Sequence, residues 1–176
     1  GQESPRPLLD FALNEESAWA CTTCNACIEV CPVGNEQMLH IIDVRRERVL
    51  GAAEFPKGLQ NTFNHMERAG NPFGMPVDER AAWMKGLPFP VATLAEKPDP
   101  EVLYWVGCAV AFDPRAQKIA QSMATIFNAA GLDWAVLGKD EKCTGDTARR
   151  TGNEYLFVQM AEENIGVLNE IKAKTI

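Results

Sequence analysis

The residues in this 176-residue chain that could do chemistry are its six cysteines, and four of them crowd into residues 20–34, ACTTCNACIEVCPVG. Cys21, Cys24, Cys27 and Cys31 are spaced CxxCxxCxxxC, with Pro32 next. Disulfides account poorly for this, because thiols two or three residues apart close cramped loops. Structural zinc accounts for it no better, since its cysteine pairs are typically a dozen or more residues apart. The chemistry that fits is iron–sulfur. In the bacterial ferredoxin run three thiolates wrap one face of a 4Fe-4S cluster, and the cysteine before proline ligates a second cluster in two-cluster proteins. Soft thiolates suit iron, and N–H groups of a tight loop can donate to the sulfurs. Cys21, Cys24 and Cys27 are therefore expected to hold a 4Fe-4S cluster, with Cys31 starting a helix and pointing elsewhere while Pro32 fixes the turn. Two clusters need eight ligands, and the chain has no second run of this kind. Three arrangements stay open: one cluster on all four cysteines, one on three plus a distant cysteine, or a second cluster completed from outside the chain.

The elements that must position this loop are mostly helical. Asn14 is placed to cap a short helix, EESAWA, which brings Trp19 against the loop as a packing lid. Residues 35–50 carry Met38, Ile41, Ile42 and Leu50 at helical spacing, and Arg45, Arg46 and Arg48 read as a solvated helix end. Residues 58–69 place Leu59, Phe63 and Met66 on one face, closed by Gly70 and the turn NPFGMP. Asp78 is expected to cap a third helix with Trp83 facing inward. His40 and His65 are single histidines, read as packing or surface residues. Residues 87–100 hold four prolines and no sustained period, as an extended connector would.

Past the connector the pattern changes to a small βαβα unit. VLYWVG (102–107) reads as a buried parallel strand. Asp113, Pro114 and Gly131 mark both ends of a helix whose packed face should carry Ile119, Met123, Ile126, Phe127 and Ala130. DWAVLG (133–138) gives a second, parallel strand, and a long final helix should bury Leu156, Phe157, Met160, Ala161, Ile165, Leu168 and Ile171. Cys108 and Cys143 both follow strands, in the loops where ligands bind in open α/β sheets. The fold class is thus mixed α+β and α/β. A helical ferredoxin-type cluster segment (1–86) is followed by the connector (87–100) and a parallel-sheet cysteine-rich domain (101–176).

Composition narrows the function classes. With 46% hydrophobic residues and 23% charged, the chain can bury a core. Its net charge of −7 argues against a nucleic-acid surface. The longest uncharged apolar run, 102–112, is too short to span a bilayer, and GQESPRPLLD lacks the pattern of a secretory signal. The expectation is a cytoplasmic, thiol-reducing compartment. No nucleophile–base pair, phosphate loop or flavin motif is visible, so no catalytic residue is assigned.

Taken together, WACTTCNACIEVCPV, IIDVRRERVL, the NPFG loop, YWVGC and KCTGDTARRTGNE resemble the heterodisulfide-reductase-like iron–sulfur oxidoreductases. The resemblance covers roughly residues 17–170. It implies a 4Fe-4S electron-transfer module of a redox enzyme or respiratory complex, with a flavoprotein or another iron–sulfur subunit as partner and a quinone pool as one destination. It also implies that Cys31 serves a cluster whose run lies upstream, and that Cys108 and Cys143 ligate a further cluster in a CCG-like domain incomplete at its C-terminal end. The chain departs from the family at Thr144, where CCG reads Cys143-Thr144-Gly145. Membrane helices upstream, and a place at the cytoplasmic face of a membrane, are compatible with the resemblance. Two other readings remain: a disulfide-reductase-type catalytic subunit, and a structural or regulatory module whose cluster, or zinc, only holds the loop.

Overall fold

The computed structural model describes residues 5, 6 and 8–176, and its first element is a short broken turn, α1 (Leu8–Phe11). Asn14 then caps α2 (Glu15–Ala20): its side-chain oxygen accepts from the Ser17 N–H at 2.7 Å. The single turn α3 (Ala26–Glu29) carries Cys27. Cys31 does not start a helix, as its spacing suggested. It heads a turn closed by the Gly34 N–H on the Cys31 carbonyl, and α4 begins only at Gln37 (Gln37–Arg46), continuing as one π-helical turn through Gly51.

Helix α5 (Lys57–Ala69) follows the 3.6-residue period, burying Phe63 and Met66 and ending on left-handed Gly70. The third predicted helix exists as a 3-10 helix, Val77–Met84, with Trp83 buried. It starts after Pro76, and the Asp78 side chain does not cap it.

Strands β1 (Val102–Leu103) and β2 (Trp134–Ala135) pair in parallel, with Val102 opposite Trp134. The first strand is shorter than the apolar run 102–107 because the Val106 and Gly107 N–H groups turn away and donate to the Glu141 carboxylate, both at 2.8 Å. Cys108 consequently starts a helix, α6 (Cys108–Phe112), rather than lying in a loop.

Helix α7 (Pro114–Ala129) begins where its sequence says, with Asp113 accepting from the Ala116 N–H at 2.7 Å. Its packed face differs from expectation. Ala120 and Ala124 are fully buried while Ile119 and Ile126 are more than half exposed. Small side chains let α7 approach its neighbours closely, and the branched residues fall on the outer side.

The last predicted helix is two, α8 (Asp146–Arg150) and α9 (Glu154–Glu170). The break falls at Gly152, where a Cβ would run into the Arg45 carbonyl group. On α9, Leu156 and Met160 are buried but Ile165 is 56% exposed.

Both hydrophobic cores draw on residues from either side of the proline-rich segment. One joins Val49, Phe63 and Met66 to Cys143, Ala148, Leu156 and Met160. The other sets Trp83 against Ala120, Ala124, Trp134 and Val136, with Tyr104 and Phe127 edge-on to Trp134. The connector itself is packed: Leu87, Phe89 and Val91 cover the second core, and Thr93 bridges to Val136.

Candidate functional site

The cysteine loop leaves α2 at Cys21 and bends sharply. Thr23 and Asn25 both take left-handed backbone, φ 53° and 69°, an uncommon conformation for threonine in particular. The bend turns main-chain N–H groups toward sulfur. The Thr23 N–H donates to the Cys21 Sγ at 3.4 Å, and the Asn35 N–H to the Cys31 Sγ at 3.3 Å. The Ala26 N–H, helped by the Thr22 hydroxyl, holds the Cys24 thiol below the ordinary range, and the Asn35 and Val33 N–H groups do the same for Cys31.

A buried arginine fixes where this loop starts. The Arg45 guanidinium donates to the carbonyls of Ala18 (2.6 Å), Trp19 (3.2 Å), Cys21 (2.6 Å) and Arg150 (2.8 Å), and lies over the Trp19 ring. The arginine group is therefore not a solvated helix end. Arg46 is tied to Asp43 and Glu154, and Arg48 to Glu54. Trp19 packs against the first core, as expected of a lid.

The other two cysteines meet at a second place. Cys108, at the start of α6, lies beside Cys143, which sits in the buried loop before α8. The neighbouring sulfur and burial push the Cys108 thiol far up, while the Cys108 thiol and the Gly145 N–H bring Cys143 down to about 7. Cys143 is pinned through its main chain: its N–H donates to the Gly70 carbonyl, and its carbonyl accepts from Asn164, both at 2.9 Å. Gly70 in turn leads into the NPFG loop. There buried Asn71 accepts from the Phe73 and Met75 N–H groups and donates to the Ala69 and Met75 carbonyls.

Sequence reasoning missed the groups that organise this second place. Arg80 and Glu141 form an ion pair at 2.7 Å with side chains 3% and 1% exposed. Burial pushes the Glu141 carboxyl up, against the pull of the Val106 N–H and of Arg80. The second Arg80 nitrogen donates to the Cys108 Sγ at 3.0 Å. The two residues lie 61 positions apart, and no local pattern joins them.

A cleft of about 300 Å³ opens beside Cys108 and Cys143, with Phe73 and Thr144 on its walls. A second cleft, of about 380 Å³, lies beside Cys21, Trp19 and Arg45. Asp146 and Thr147, the first turn of α8, line both. Among the described residues, no three His, Cys, Asp or Glu side chains converge as a metal-holding group. The structure thus brings Cys108 and Cys143 together, and places Cys21, Cys24, Cys27 and Cys31 on one loop without converging them. His65 packs against Gly74 and the Pro72 carbonyl.

Comparison with known proteins decides the relationship. Residues 102–176 match the family described as CCG, cysteine-rich domain. The "Probable iron-sulfur-binding oxidoreductase FadF" of Bacillus subtilis is 41% identical over 174 residues, 96% of this chain and 25% of that protein. Residues 102–176 carry the cysteine-rich domain, and nearly the whole chain is similar to part of an iron–sulfur oxidoreductase. The "EtfAB:quinone oxidoreductase" of Syntrophomonas wolfei is 37% identical, over 96% of this chain and 24% of that protein. A dihydromethanophenazine heterodisulfide reductase component of Methanosarcina barkeri is 27% identical, over 98% of this chain and 40% of that protein. The chain spans about a quarter of the length of the first two relatives. No solved structure matches it. Among the described residues no helix is long and apolar enough to cross a membrane.

Proposed function

We propose that this chain is an iron–sulfur electron-transfer module of a larger oxidoreductase, with 4Fe-4S clusters as its redox groups. One observation carries the reading: a single loop presents Cys21, Cys24, Cys27 and Cys31 at ferredoxin spacing, and Cys24 and Cys31 already receive the N–H groups that favour thiolate. The donor set fits such a cluster in type and in polarisation. Cys21, Cys24 and Cys27 would hold one cluster and Cys31 another, while Cys108 and Cys143 would supply two ligands of a further one. When bound, a cluster of this kind accepts and releases single electrons at constant coordination.

The chain's own residues then do three things. Arg45 holds the Cys21 carbonyl and so the entry to the loop. The loop's main-chain N–H groups offset negative charge on sulfur. Asp146 and Thr147, in the first turn of α8, line both clefts, which supports electron passage between them.

The partner in this proposal is a flavoprotein or another iron–sulfur protein, at the cytoplasmic face of a membrane. The name of the Syntrophomonas relative supports a route from an electron-transfer flavoprotein to quinone. A second reading, reduction of a disulfide at Cys108 and Cys143, is favoured by the open cleft beside them.

Iron and acid-labile sulfide per chain, with EPR after reduction of anaerobically purified protein, test the proposal. About four irons and a reduced-cluster signal per filled site are expected. Zinc or disulfides without iron would overturn it. A change of that signal on adding a disulfide, absent when only a one-electron carrier is added, would move the assignment to the second reading.

A further inference from the structure

Among the described residues, a guanidinium meets a cysteine sulfur at Arg80, where Nη2 donates to Cys108 at 3.0 Å. Its other nitrogen, Nη1, is held by Glu141 at 2.7 Å, and the ring of Phe112 lies under it at 5.2 Å. Glu141 also takes the Val106 and Gly107 N–H groups, the two main-chain donors immediately before Cys108. One carboxylate therefore fixes both the direction of the guanidinium and the approach of the chain to the sulfur. A charge that is buried, oriented and pointed at a single thiol has more consequence than structural bracing. Leucine or methionine in place of the pair would fill the same core without the desolvation penalty.

We infer that Arg80 is a positioning residue of the Cys108/Cys143 site, donating a charge-assisted hydrogen bond to the Cys108 sulfur that favours the more reduced state of a cluster bound there. The inference rests on the functional reading above. Adding one electron at that site adds one negative charge next to the guanidinium, with no bond made or broken and no proton required. A fixed positive charge close by, in a dry place, favours that extra electron, and the N–H···S bond strengthens as charge on sulfur grows. Glu141 opposes this field while aiming it, so the two substitutions act in opposite directions.

The full chain is purified anaerobically as wild type and as Arg80→Gln, Arg80→Lys and Glu141→Gln, and each EPR signal is titrated potentiometrically. Signals are assigned by their loss in Cys108→Ser or in Cys24→Ser. Arg80→Gln is expected to move the Cys108-dependent midpoint to more negative potential and to leave the Cys24-dependent one in place. Arg80→Lys keeps the charge and should stay near wild type, and Glu141→Gln should move the midpoint positive. An unmoved midpoint in Arg80→Gln, or an equal shift in Arg80→Lys and Arg80→Gln, overturns the inference and leaves a bracing role. Where Arg80→Gln does not fold, the sign of the Glu141→Gln shift decides, a negative one being contrary.

If no signal depends on Cys108, no cluster stands at this site, and the inference falls with that assignment.

Discussion

Arg45 shows how one residue can hold a ligand loop without touching a ligand sulfur. Its guanidinium donates to four carbonyls, two of them in the last turn of α2 and one on Cys21 itself. Truncation strands these oxygens in a buried place, each at a cost of roughly 1–3 kcal/mol. Arg45→Ala is expected to lower stability by about 3 kcal/mol, read as a lower urea midpoint at unchanged slope. Arg45→Lys should recover little, because an ammonium cannot reach all four at once.

Cys143 gives the pH prediction. Its folded value of about 7 lies below the ordinary thiol range, so its thiolate stabilises the fold above that range, and the contribution is lost as pH falls through about 7. Metal-free protein should lose stability as pH falls through about 7, and Cys143→Ser should flatten that part of the profile. At this scale the sequence was informative about the four clustered cysteines, since their spacing is itself the signal. Arg45 and Arg80 were not legible: their partners lie up to 105 and 61 positions away, and nothing local separates Arg45 from Arg46.

At the scale of elements, local rules held where a side chain meets its own backbone. Asn14 and Asp113 cap the helices they were expected to cap, and Gly70 and Gly131 take left-handed backbone at helix ends. What failed depended on neighbours. The strand beginning at Val102 stops early because Glu141 takes its N–H groups. Helix α7 turns alanines inward because close approach to the 3-10 helix and α6 leaves no room for isoleucine. The break between α8 and α9 has the same origin, the main chain of Arg45 pressed against Gly152. Gly152 also has φ 93°, a value that L side chains rarely adopt. Gly152→Ala is expected to cost about 3 kcal/mol or more, detectable as a thermal midpoint several degrees lower and loss of the Arg45 contacts.

For the whole molecule, the sequence drew a helical segment, a connector and a βαβα unit, while the packing interleaves them. Phe63 and Met66 share a core with Leu156 and Met160, and Trp83 shares one with Ala120 and Trp134. Residues 101–176 expressed alone would lose Trp83 from one core and Val49, Phe63 and Met66 from the other. Their expected behaviour is a broad, non-cooperative unfolding by circular dichroism, against a single sharp transition for the full chain.

The arginine clamp carries a further consequence for biosynthesis. The Arg150 carbonyl that completes it is made 105 residues after Arg45, and Arg46 waits still longer for Glu154. On the ribosome, where the N-terminal part emerges first, the four-cysteine loop is out in the open well before its anchor exists. The loop therefore reaches its anchored form only once residues 150 and 154 have left the ribosome, and until then its thiols stand open to dioxygen and to competing soft metals such as zinc.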